Sequence, residues 1–217
     1  MKKNMTLLCL FLTMTVMSFA QIKQGKLTYS MEFSSDDPEM AMGLAMMQGS
    51  KMDMYFVPGK TRSEVAMGSL GTMTTIADEK AKKALMLMNM MGQKTATETT
   101  IEAPKAEEAP KFEIENTTET KEILGYKCTK AIMTSEDGTA ITIWYTKDLE
   151  VSTAGQNYYN SQMPGFPMSI NTSMSGMTVQ LTVTALDKKT PDSDLFKMKV
   201  PEGYTVKTEE EMMKMGQ

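Results

Sequence analysis

The chain has 217 residues, 41% of them hydrophobic and 23% charged, with 23 basic against 27 acidic residues and a formal net charge of −4. That length supports one good-sized core, and the acidic balance argues against nucleic acid as a partner. The absence of histidine and the presence of only two cysteines exclude His-based catalytic triads, Cys/His zinc sites and a thiol pair within the mature chain.

Residues 1–20 read as a cleavable leader. Lys2 and Lys3 precede an apolar run over 7–17, and Ser18-Phe19-Ala20 offers a small-residue cut after Ala20. The run is too short to span the roughly 30 Å of a bilayer core and is broken by Thr13 and Thr15. Cys9 lacks the preceding small residues of a lipidated cysteine. The expectation is a periplasmic or secreted protein that starts at Gln21 and has no transmembrane segment. Cleavage leaves Cys128 without a partner in the chain, either as a small buried residue or as an intermolecular thiol, the buried reading being favoured.

Residues 26–34 alternate strictly, with Leu27, Tyr29, Met31 and Phe33 on one face, which predicts a strand with one wet face. Asp37-Pro38 predicts a helix start and Gly49 its stop. Met40, Ala41, Met42, Leu44, Ala45, Met46 and Met47 leave that helix almost no polar face. Met52, Met54 and Phe56 then alternate with Asp53, Tyr55 and Val57, and Pro58-Gly59-Lys60 turns the chain into a second strand over 61–67. A strand at 72–77 follows. Residues 78–92 fit either a capped helix or a strand, and the neighbouring meander favours the strand.

Residues 98–111 change to Thr, Glu, Ala and Pro and read as a solvated connection inside a single domain over 21–205. Further strands are expected at 112–117, 125–133, 139–146 and 176–186, where Met177, Val179, Leu181, Val183 and Ala185 share one face. An extended piece is expected at 195–200. The spacing of Thr208 and Glu211 is that of a capping box, so 206–217 reads as a short C-terminal helix or tail. The fold expected is mainly β (α+β), a curled antiparallel sheet or half-barrel of about ten strands with one or two short helices over its concave face.

The chemistry is dominated by 26 methionines. They fit a core filler, a deformable apolar surface that accepts varied ligands, or a soft thioether site for Cu(I), with the metal ranked last because no histidine supports it. The leading reading is a non-enzymatic envelope protein that binds a lipid or other apolar ligand between the Met-rich helix and the sheet. Its candidate ligand-binding residues are Met40, Met42, Leu44, Met46, Met47, Met52, Met54, Met86 and Met88. Neither a cofactor, a metal nor a catalytic residue is implied. The alternative is a scaffold module with an envelope protein as partner.

Several segments carry a resemblance: GYKCTKA from Gly125, IWYTKDL from Ile143, MPGFPM from Met163, FKMKVPEGY from Phe196, KTRSEV from Lys60 and LMLMNMMGQK from Leu85. In combination they resemble a family of secreted bacterial domains of unknown function. That family is similar in layout to GLPGLI proteins and, more distantly, to lipoprotein carriers of the LolA and LolB type. The resemblance implies a half-barrel covered by helices, an envelope location and binding of lipid or acyl chains, and it supplies no catalytic residue. The chain departs from GLPGLI proteins by reading PGFPM where their name motif falls.

Overall fold

The two-residue period of the strands is the rule that builds this molecule, because each strand spends one set of alternate residues on each side. The computed structural model describes residues 22–101, 112–149, 151, 163–174 and 176–215. The leader with Cys9, and residues 102–111 of the expected connection, lie outside the described residues. The first half runs β1 (Gly25–Ser35), a 3-10 turn (Pro38–Met40), α1 (Ala41–Met46), β2 (Lys51–Val57), β3 (Lys60–Met67), β4 (Gly71–Asp78), β5 (Lys83–Met90) and β6 (Gln93–Thr100). The second half runs β7 (Phe112–Ile123), β8 (Tyr126–Ser135), β9 (Ala140–Thr146), β10 (Phe166–Met174) and β11 (Met177–Asp187). A 3-10 turn (Ser193–Phe196), β12 (Thr205–Val206) and α2 (Glu209–Met215) complete it.

The twelve strands among the described residues form one curled sheet in the order β12-β6-β5-β4-β3-β2-β1-β11-β10-β9-β8-β7. Two antiparallel meanders, β1 to β6 and β7 to β11, meet at the β1–β11 pair. The short β12 pairs parallel with β6. A core cluster at the junction gathers Leu27, Tyr29, Met54, Phe56, Met168 and Val183 with Cys128 and Leu149. Cys128 is fully buried, which pushes its thiol pKa up, and Lys121 sits over the Trp144 ring at 4.3 Å.

Several expectations are corrected. Among the described residues the sheet has twelve strands, because β6, β10 and β12 join those read from pattern and the piece expected at 195–200 is not a strand. β6 extends through Thr100, past the expected boundary at 98, since its threonines suit a pleated strand. Pro167 lies within β10, where the register to β9 shifts between Pro167 and Ser169 and the missing N–H is tolerated. β7 continues to Ile123 rather than Thr117, around a register shift between Asn116 and Thr120. The extended piece expected at 195–200 begins instead as a 3-10 turn, capped by the Asp192 carboxylate, which accepts from the Asp194 N–H at 2.9 Å. Ala185 does not share a face with Val183. Thr28 opposes Ala185 and Tyr29 opposes Val183, so Thr184 is an extra residue that bulges the strand.

Other elements follow the pattern. Residues 78–92 form the end of β4, a turn and β5. Asp37 caps the first turn by accepting from the Glu39 N–H at 2.9 Å, with Pro38 behind it. At α2, Thr208 Oγ1 accepts from the Glu211 N–H at 3.2 Å and Glu211 accepts from the Thr208 N–H at 2.8 Å.

One polar group pins the β1–β2 pair. Asp53 is 9% exposed, accepts from the Thr28 hydroxyl at 2.7 Å and pairs with Lys26 at 3.2 Å. Burial alone would raise its pKa, but the Thr28 and Lys26 hydrogen bonds and the Lys26 and Lys51 charges outweigh it and hold the carboxyl below its ordinary value. A carboxyl whose pKa is depressed on folding adds stability above its unfolded pKa and loses it as pH falls through the folded one. Asp53→Asn should therefore cost about 2 kcal/mol at neutral pH. In urea titrations, the gap between wild type and variant should close as pH is lowered below the ordinary aspartate range; a gap that stays constant would contradict this account.

Candidate functional site: an uncharged face of the sheet

Residues directly opposed on neighbouring strands share a face, so the register can be followed across the sheet. One row reads Tyr29, Met52, Val65, Met73, Met88, Thr95 from β1 to β6. The next reads Leu27, Met54, Ser63, Thr75, Met86, Thr97. On the other side of β1 the same face continues as Met31 opposite Leu181 and Phe33 opposite Val179, then Ile170 and Thr172, then Ile143 and Ile141. None of these side chains is charged.

The opposite face has the reverse character. Its rows read Thr28, Asp53, Glu64, Thr74, Leu87, Ala96 and Lys26, Tyr55, Arg62, Ile76, Leu85, Glu98. Lys60 pairs with Asp78 at 2.9 Å on this side. The C-terminal segment covers its apolar part, with Met198, Val200 and Tyr204 packed against Ile76, Leu85, Leu87 and Ala96. Arg62 donates to the Leu195 carbonyl at 3.1 Å, and the Lys207 N–H donates to the Ala96 carbonyl at 2.8 Å, which fastens the segment at both ends.

β5 shows the sorting most plainly. Its sequence KALMLMNM sends Leu85 and Leu87 to the covered side, where both are buried. Met86, Met88 and Met90 go to the uncharged side and are half-buried. Met52, Met73 and Val65 on that side are half-buried as well, whereas Met54 is 2% exposed. Burial pushes the Tyr29 hydroxyl pKa well above its ordinary value, which keeps it neutral. Thr97 is 4% exposed, and its Oγ1 is buried with no hydrogen-bond partner among the described residues.

The sequence-predicted residues fall into two groups. Met52, Met54, Met86 and Met88 come together on the uncharged face in two adjacent rows. Met40, Met42, Leu44, Met46 and Met47 belong to or flank α1, which packs against β1 and the β3–β4 turn and buries none of its own residues. Met42 is 80% exposed, and the other four are half-buried. The Met46 carbonyl accepts from the Ser69 N–H at 2.9 Å and the Ser69 hydroxyl at 3.3 Å. Pattern reading missed Met73, Val65 and the hydroxyls Ser63, Thr75, Thr95 and Thr97, because it grouped methionines along the chain and not across strands.

Among the described residues no group of three or more His, Cys, Asp or Glu side chains is placed to hold a metal ion. An open groove of about 1090 Å3 at the β6 end of the sheet is lined by Glu98, Val206 and the first turn of α2 with Glu209, Glu210 and Glu211. It lies at the sheet's edge and belongs to none of the core clusters.

Residues 71–160 match the family model described as N-glycanase peptide, N-terminal domain. No curated protein matches the chain in sequence. Among solved structures, PNGF-II is similar with a TM-score of 0.50 and 15% identity, over 88% of this chain and 32% of that one. This chain thus spans about a third of PNGF-II. An uncharacterized conserved protein from Thermus thermophilus is similar with a TM-score of 0.54 and 12% identity, over 86% of this chain and 91% of that one. A LolA superfamily protein from Nitrosomonas europaea covers 81% of this chain and 90% of its own at 7% identity, with a TM-score of 0.26 that carries no weight. The first two likenesses show a shared fold. No helix among the described residues is long and apolar enough to cross a membrane.

α1 is held at the strand ends by a close backbone approach. Gly68 has φ +52, and a Cβ there would stand 2.1 Å from the Met46 carbonyl oxygen. Because that neighbour is backbone, Gly68→Ala should push α1 off the β3–β4 turn. Hydrogen exchange should rise over residues 41–48 while β5 and β11 keep their protection. Unchanged exchange in α1 would show that the turn does not hold it.

Proposed function

We propose that this is a non-enzymatic protein of the cell envelope that binds an apolar ligand on the uncharged, methionine-rich face of β2 to β6. The observation that carries the reading is the sorting within β5. Leucines occupy the side packed by the C-terminal segment and methionines the opposite, half-buried side, which separates a packed core from a deformable surface. Thioether side chains adapt to varied apolar shapes without the fixed outline of branched residues. α1, with Met40, Met42, Leu44, Met46 and Met47, stands at the strand ends as an apolar rim beside that face. The predicted leader supports an exported location.

A second reading is favoured by one observation, the match of residues 71–160 to an N-terminal domain of an N-glycanase. On that reading the chain is an accessory module that engages a protein partner. Strand addition at β7 is disfavoured, because this edge carries Glu113, Glu115, Glu119, Lys121 and Glu122 and a break in register. Crosslinking in intact envelopes separates the two readings: a carrier yields lipid adducts, and a module yields one reproducible protein partner.

Binding of a fluorescent acyl probe to the purified mature chain tests the leading reading. Met88→Lys places a charge in the middle of the face and should weaken binding by at least about tenfold, since an unpaired charge there must be desolvated. Met91→Lys, at a position 80% exposed, should leave it unchanged. No binding by wild type, or equal binding by Met88→Lys with circular dichroism intact, would sink the proposal.

A further inference from the structure

The uncharged face is not uniformly apolar, and its polar atoms bear on what it receives. Resting on the reading above, we infer that the ligand is an uncharged lipid, and that a hydroxyl or ester oxygen on it hydrogen-bonds to Thr97. Two independent observations meet here. The first is the complete lack of charge in the rows around Met86 and Met88, from Tyr29 to Thr95 and from Leu27 to Thr97. A carboxylate or phosphate seated in these rows would lose its water and find no cation, a cost that its acyl chain would have to overcome. The cationic side chains of the same strands, Lys26, Lys51, Lys60, Arg62, Lys83 and Lys94, lie on the other side, where Asp53, Asp78 and Glu64 engage the first four.

The second is Thr97. Its hydroxyl is buried directly opposite Met86 and has no partner among the described residues, although buried polar groups in native proteins are nearly always hydrogen-bonded. Leaving it unpaired costs free energy that a valine of the same shape would avoid. A ligand oxygen reaching this position would remove the penalty, and the hydroxyl can donate or accept as the ligand requires. Thr75 and Ser63 continue the same row toward β2, so a glycerol-like group with more than one oxygen has further partners in line. The acyl chain then lies along the adjacent row, over Met88, Met73 and Met52.

The test compares ligands with one acyl chain and different heads, using displacement of the fluorescent acyl probe from the mature chain. 1-Monooleoylglycerol should displace it at a concentration at least about tenfold lower than 1-oleoyl-lysophosphatidylglycerol, which adds an anionic phosphoglycerol group. Thr97→Val should lose most of the preference for monooleoylglycerol over 1-octadecene, a chain with no head. In the absence of ligand the same variant should melt at a higher temperature than wild type, because it deletes an unsatisfied hydroxyl. Equal or better displacement by the anionic lipid, an unchanged preference in Thr97→Val, or a lowered melting temperature of the free variant would each overturn the inference while leaving apolar binding in place. Failure of wild type to bind the probe at all would remove both.

Discussion

The β1–β11 ladder is the interaction on which the rest depends. Among the described residues it is the one strand pairing between the two meanders, and it joins segments far apart in the chain. The Thr184 hydroxyl donates to the Thr28 carbonyl across 156 residues of sequence. Closing so long a loop is entropically costly and slow, so the ladder forms only if its side-chain pairs reward it. Its register decides more than stability. Met31 opposite Leu181 and Phe33 opposite Val179 bring the uncharged sides of both meanders onto one surface. A slip by one residue would set Lys26 and Glu32 among them. The bulge at Thr184 extends the same agreement to the end of the strand, where Leu186 rather than Ala185 meets Leu27.

Given that seam, the two sides of the sheet receive different treatment. The charged side of β3 to β6 is closed by the chain's own C-terminal segment, held by Arg62 and by the β12–β6 pairing and filled by Met198, Val200 and Tyr204. Its ions are satisfied by one another close to the surface, where pairs such as Lys60–Asp78 contribute register and solubility more than stability. On the uncharged side Met52, Met73, Met86, Met88 and Met90 stay half-buried. A cover for one face and a receptive surface on the other thus come from one alternation pattern.

How much of this was legible depended on how local the signal was. Asp37-Pro38, the Thr208/Glu211 capping box and the alternation of β1 are set by neighbours in sequence, and they appear as expected. The mainly β class followed from repeated short alternating runs. β10 was hidden because Pro167, Ser169, Asn171 and Thr172 dilute its apolar positions, and only pairing on both sides makes it a strand. β12 was hidden because two residues carry no period. In the site, Met52/Met54 and Met86/Met88 were noticed through their spacing. Met73, Ser63, Thr75 and Thr97 were not, since what makes them neighbours is hydrogen-bonded register between strands.

The same register bears on why methionine is so abundant. If it merely replaced leucine as filler, the two would be interchangeable between the faces of one strand. In β5 they are not: Leu85 and Leu87 meet the C-terminal segment, and Met86, Met88 and Met90 face the other way. The fully buried positions across the sheet are filled chiefly by residues of more fixed shape, including Leu27, Phe56, Ile76, Leu85 and Val183. Met133 and Met168 are buried too, so methionine is not excluded from the core. Its excess instead collects where packing is incomplete. There, an unbranched thioether can fold back on the sheet when the face is free and extend when it is occupied, which a leucine core cannot do without leaving cavities.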